Sequence, residues 1–334
     1  MHRKIQTNLF APVLLVFFSF YIPVASATPD LWRSEGWKTD FSKTKIEFNE
    51  ILSGGPSKDG IPAIDKPKFV SLTYVKNIGI HEPVISVSIN GQARAYPLRI
   101  LMWHEIVNDE LGGEPITVTY CPLCNSAIVF KRRVGEKILD FGTTGKLRNS
   151  DLVMYDRQTE SWWQQFTGEA IVGAYLGTEL QSIPVRVEGF GLFRKRFPDG
   201  QVLVPNDPKA RQYGNNPYIR YDSRNRPYPF FNGDLPEGID PMARVVVFKS
   251  ENKPVAIALP HLRARKSLNI GNITVSWQEG QNSALDSSEI GKGRDVGNVI
   301  VQEVVEGKAK DITYDVTFAF VVHSFHKGIK IIAK

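Results

Sequence analysis

Two cysteines in 334 residues is a short supply of thiol, and both lie in one stretch, "TYCPLCNSA" (119–127), as Cys121 and Cys124. Without further cysteines the chain holds no disulfide framework of the kind that staples small secreted domains. Without a second Cys-x-x-Cys it holds no four-cysteine zinc site of its own. Charge of one sign is also scarce. The 41 Lys and Arg stand against 35 Asp and Glu, a net +6, which is weak for this size and gives no reason to expect a nucleic-acid partner. Long apolar runs are missing beyond residues 9–22 ("LFAPVLLVFFSFYI"), and that run is shorter than the ~20 residues of a membrane-spanning helix. A metalloprotease helix is missing too. "HEIVN" at 104–108 begins like H-E-x-x-H, but position 108 is Asn, and the motif needs two imidazoles one turn apart.

What is present begins with a leader. Arg3 and Lys4 precede the apolar run, and "VASATP" follows it with Ala25-Ser26-Ala27 at a small-residue cleavage pattern. This reads as a signal peptide over residues 1–27 and predicts an exported protein, periplasmic or extracellular, with no membrane span in the mature chain. Removing it leaves 307 residues and a net +4. A chain of that size buries roughly three quarters of its unfolded surface and needs no covalent staple. A disulfide across a four-residue ring would add only about 2 kcal/mol, against about 3 for fifteen residues.

The pattern of the mature chain is β-rich. "VISVSI" (84–89), Asn90-Gly91 and "QARAY" (92–96) read as a hairpin with a two-residue turn. Pro97 suits the first position of a helix, and "LRILMWHEIVND" (98–109) reads as a buried helix ended by Gly112-Gly113. "PITVTY" (115–120) is a strand, and "SAIVFKRRV" continues as strand after the cysteine turn. Residues 142–181 read as loop mixed with helix, and 198–236 as loop. In "DITYDVTFAFVV", Ile312, Tyr314, Val316, Phe318, Phe320 and Val322 alternate as one half-buried strand. "ARAYP" (93–97) and "ITVTY" (116–120) find echoes in "AIALP" (256–260) and "ITVSW" (273–277), the second set without cysteine. The predicted class is α+β and β-rich, with antiparallel sheets, a few short helices and a degenerate internal duplication. A main domain would span 28–235, with a smaller β-rich repeat over 236–334 packed on it.

The chemistry centres on Cys-Pro-Leu-Cys. As a redox dithiol, Cys121 and Cys124 would cycle through a disulfide, Pro122 would shape the turn, and His104 would assist proton transfer. The strand-like continuation lacks the helix N-terminus that lowers a thiol pKa in thioredoxin-type sites, so Lys131, Arg132 and Arg133 are the alternative source of positive charge. As a metal site, the two thiolates supply half of a tetrahedral set for copper or zinc, with His104, His323 or His326 completing it. A third cluster, Asp151, Asp156 and Glu160 with Trp162 and Trp163, has the residue types of carbohydrate chemistry. The partner would be a redox protein or a small molecule.

Several blocks together resemble the bacterial domain of unknown function 3179. They are "SGGPSKDGIPAIDKPKF" (53–69), "ARAYPLRILMWHEIVND" (93–109), "ITVTYCPLCNSAIVF" (116–130), "FGTTGKLRNSDLVMYDRQTESWWQQFTGEAIVG" (141–173) and "YGNNPY" (213–218). The closing "TFAFVVHSFHKG" is similar to that family's last block, with Phe320 and Lys327 in place of an expected Trp and Pro. The resemblance implies no assigned reaction. It does imply relatives described as selenoproteins, which favours redox or soft-metal chemistry over an inert bridge. The leading expectation is thiol–disulfide redox at Cys121 and Cys124. Metal binding, or a binding scaffold with a structural disulfide, are the alternatives.

Overall fold

The computed structural model describes residues 28–334; the predicted leader lies outside them. Alternating β-branched and apolar runs pair into mostly antiparallel sheets, as the sequence implies. One sheet orders Ile51–Ser53, Phe141–Arg148, Asp151–Asp156, Trp162–Gln164 and Glu169–Val172 side by side. A second orders Ser182–Ile183, Ser126–Lys131, Glu114–Cys121 and Ile106–Leu111. A third holds Arg186–Gly189, Pro83–Ile89, Gln92–Pro97, Gln201–Val204 and Lys68–Ser71, with one parallel pair between Gln92–Pro97 and Gln201–Val204. The C-terminal part adds Tyr314–Phe318, Arg244–Ser250, Lys253–Ala258 and Ile331–Ile332 in one sheet, and Ser267–Ile270, Ile273–Gln278, Asn298–Val305 and Lys308–Asp311 in another. Among the described residues no helix is long and apolar enough to cross a membrane.

The hairpin at Asn90-Gly91 forms as predicted, with φ of 50° and 79° at the two turn residues. The helix after it is shorter than its pattern suggested. It runs Leu98–His104 and stops at Glu105, whose φ of 57° and ψ of −33° turn the chain out. The β-branched Ile106 and Val107 then enter a strand, Ile106–Leu111, where the branched side chains pack on a pleated face. The stop is carried by Glu105 and not by a glycine, which is why residue types did not reveal it. The helical content expected in 142–181 is replaced by strands, since Asp151–Asp156 and Trp162–Gln164 pair edge to edge. At the other end, the alternation from 312 breaks after Phe318, and Ala319–Phe325 is a helix. Phe318, Ala319, Phe320, Val321 and Val322 are all buried, so an apolar run hid the change of period.

The order hairpin, seven-residue helix, hairpin occurs twice, over 83–121 and over 244–278. The helix ends match closely. Glu105 N bonds Leu101 O at 2.7 Å, and Lys266 N bonds Leu262 O at 2.7 Å. Tyr120 N then bonds Glu105 O, and Trp277 N bonds Lys266 O, each at 2.8 Å. Lys266 adopts φ 65° and ψ −38°, close to the values at Glu105. Gln278 therefore occupies, in the second unit, the place that Cys121 has in the first.

The largest core draws on both parts of the chain. Tyr120, Cys121, Leu123 and Cys124 pack in one cluster with Tyr221, Val245, Phe318 and Phe320. A separate core gathers Trp32, Trp37, Phe41 and Ile51 around Trp162. A buried aromatic removes about 150–250 Å² from water, of order 4–6 kcal/mol before entropy. This second core thus fastens residues 32–51 to the sheet that carries Asp151.

Candidate metal centre

The cysteine turn is a hairpin loop. Cys121 closes one strand and pairs with Ser126 across it, leaving Pro122–Asn125 as the loop. Asn125 takes φ of 52°, a left-handed conformation that Asn tolerates better than most residues, and its N–H reaches Pro122 O at 3.2 Å. The remaining carbonyls are held from outside. Tyr221 Oη donates to Leu123 O at 3.0 Å. Thr317 Oγ1 donates to Cys124 O at 2.7 Å, joined by Phe318 N at 3.3 Å. Asn125 Nδ2 ties the loop to Val316 O at 2.7 Å. A turn gripped this way keeps its two side chains in fixed relation, and the cysteines stand 3.7 Å apart as free thiols.

A second hairpin tip meets this one. Arg148 pairs with Asp151, so Asn149-Ser150 forms a two-residue turn with φ of 52° and 63°. Positive φ at both positions is what such a turn requires, and it is unusual for a Ser. Cys121 Sγ lies 3.6 Å from Ser150 O, in donor geometry. The next residue, Asp151, is wholly buried. Its Oδ2 accepts from Gln164 Nε2 at 2.6 Å and Phe166 N at 2.9 Å, while its Oδ1 has no partner. The two sulfurs and an Asp151 oxygen lie within 4.8 Å of one another.

The electrostatics of this corner are one-sided. Burial pushes the Cys121 thiol up, and Asp151 and Glu105 add to the shift against a partly offsetting Cys124. Cys124 is pushed well above the usual thiol range, first by burial and then by Cys121. Burial raises Asp151 to about 7. It raises Glu105 to about 8, helped by the Asp151 charge. No Lys, Arg or His among the described residues hydrogen-bonds to any of these four side chains. The two thiols and the Asp151 carboxyl share a buried corner with no hydrogen-bonded cation, a setting in which a bound cation is favoured.

The structure departs from the sequence reading in several places. The cysteine turn is not the accessible one expected: Cys121 is 2% and Cys124 0% exposed. Pro122 does sit inside the turn. His104 faces elsewhere, with Nδ1 2.8 Å from Pro62 O and Nε2 2.7 Å from Tyr213 Oη. His323 lines a polar cleft with Glu50, Arg148 and Asp234, and His326 packs against the Phe166 ring at 5.8 Å. The ligand-bearing group at the cysteines contains Asp151 and no histidine. Lys131 pairs with Glu114 and Arg132 with Asp140, so neither charge serves the thiols. In the carboxylate cluster, Asp156 accepts from Trp163 Nε1 and Thr159, and Glu160 pairs with Lys58. Trp162 and Trp163 are core residues at 0% exposure. Only Asp151 of that cluster reaches the thiols. Its signal in the sequence was "RNSD", a two-residue turn between β-rich runs that would place its flanking residue at a hairpin tip.

No curated protein and no solved structure matches the chain. A family model described as a protein of unknown function, DUF3179, matches residues 58–328 and so takes in Glu105, both cysteines and Asp151. The chain belongs to the DUF3179 family.

Proposed function

We propose that this is an exported metal-binding protein whose ion is held by Cys121, Cys124 and Asp151. The observation that carries the reading is the grouping of two thiols and a carboxylate within 4.8 Å, the carboxylate keeping one buried oxygen without a partner. Zinc–sulfur bonds of about 2.3 Å in a tetrahedron separate two sulfurs by about 3.8 Å, and the cysteines stand 3.7 Å apart. A carboxylate beside two thiolates suits zinc better than cuprous copper, which favours sulfur alone. Three protein donors leave a fourth position for water or a substrate, the arrangement of reactive zinc sites. Metal analysis of reduced, dialysed protein after incubation with zinc tests this. One zinc per chain, lost in the double Cys121→Ser, Cys124→Ser variant and weakened in Asp151→Asn, is the expected result. Wild-type protein that retains no zinc and keeps two titratable thiols under the same conditions would refute it.

A second reading, reversible dithiol–disulfide exchange, is supported by the same 3.7 Å approach, since a side-chain rotation closes it to the ~2.05 Å of a disulfide. Burial opposes it, because the thiolate is the reacting form and both thiols are pushed up. Loss of both thiols under a small-molecule disulfide, and their return with a dithiol, would select this reading over the first. Export is supported by the leader pattern of residues 1–27 and is tested by fractionating cells that express the full chain.

A further inference from the structure

Asp315 is a buried acid that the metal reading leaves unused. It stands on the strand Tyr314–Phe318. Its Oδ1 accepts from the amides of Ala127 and Val316, while its Oδ2 is buried with no hydrogen-bond partner. Leaving a buried carboxylate oxygen unpaired costs free energy, and the two amides do not require an acid to accept from them. Asp315 lines a cleft of about 350 Å³ between the sheet that carries the cysteine turn and the C-terminal sheet that contains Arg244–Ser250. Small-molecule sites occupy roughly 300–1,000 Å³ and combine apolar walls with a few placed polar groups.

This cleft has that make-up. Phe130, Phe166 and Ile183 line it from one part of the chain and Val247 from the other. The remaining charged residues along it supply no competing centre. Lys249 and Glu179 are exposed and of opposite sign, so solvent screens them. Glu169 pairs with Lys45. His326 is held below the usual histidine range by burial and by Lys249, which favours its neutral form. Asp315 is the buried charge among the lining residues. Burial raises its pKa to about 6, so the carboxylate is ionised at pH 8.

We propose that this cleft binds an apolar organic amine, with its hydrocarbon part against Phe130, Phe166, Ile183 and Val247 and its ammonium on the unpartnered oxygen of Asp315. A hydrogen bond between two charged groups is about twice as strong as a neutral one, and it supplies the partner that Oδ2 lacks. Cys121, Cys124 and Asp151 do not line the cleft, so the proposal stands apart from metal binding. Phenethylamine, protonated at pH 8, and its neutral counterpart 2-phenylethanol serve as probes, with affinities measured by calorimetric titration. Wild type should bind the amine about ten-fold more tightly than the alcohol. Asp315→Asn should lose that preference and bind the two alike. Ile183→Ser, which shortens an apolar wall, should weaken both probes by the same factor of about five. Wild type that binds neither probe, or binds the two equally, would overturn the proposal. An amine affinity unchanged in Asp315→Asn or in Ile183→Ser would overturn it as well.

Discussion

Asp315 offers a test of how far burial alone governs this molecule. It lies on the strand Tyr314–Phe318, 6% exposed, and its Oδ1 accepts from Ala127 N at 3.1 Å and Val316 N at 2.9 Å. Burial raises its pKa to about 6, against the opposing pull of Ser126 and those two amides. The neighbouring Asp151 carboxyl couples to it. Lys249, His326, Glu169 and Glu179 line the same groove. A carboxyl whose folded pKa is raised is favoured by the fold in its protonated form. Its penalty is absent below the unfolded value of about 3.9, grows as pH rises, and is complete above about 6. A rise from about 3.9 to about 6 corresponds to about 3 kcal/mol. Asp315→Asn keeps an oxygen for both amides and cannot ionise. The variant should match wild type near pH 4 and exceed it by up to about 3 kcal/mol above pH 7. Urea unfolding from pH 4 to 8 measures the gap. A gap independent of pH, or wild type gaining on the variant as pH rises, would show that Asp315 is compensated in a way these contacts do not reveal.

Two further substitutions probe the frame around the site. Gly145 has φ of +70°, and a Cβ there would fall 1.9 Å from Pro56 O; Gly145→Ala should destabilise by more than about 3 kcal/mol, read by thermal unfolding, and a near-neutral result would mean that the 53–60 loop yields easily. Tyr221→Phe removes the donor to Leu123 O and should cost about 1–2 kcal/mol in urea unfolding. An unchanged midpoint would show that the cysteine turn does not depend on that bond.

Much of the sheet framework was legible because its cues are local. Asn90-Gly91 and the β-branched runs beside it specify a hairpin by turn chemistry and period. The strand after Cys124 followed from the same logic and excluded a thioredoxin-like helix. What escaped notice depended on distance along the chain. Asp151 meets the thiols only because two hairpin tips dock, and nothing near residue 121 announces residue 151. Glu105 was hidden differently: an acid inside an apolar helical pattern gave no sign that the backbone would reverse there. The histidines are a different case. "HSFH" looks like a ligand pair by spacing, yet His323 and His326 face separate clefts.

The meeting of the two tips also sets an order of events during synthesis. Cys121 and Cys124 leave the ribosome before Asp151, Tyr221 and Thr317 exist, so the nascent thiols stand open to any oxidant they encounter. Once the later segments close over them, the same sulfurs are buried. The cysteine turn therefore gains its last supports only when the final fifth of the chain, with Val316 and Thr317, has docked on it.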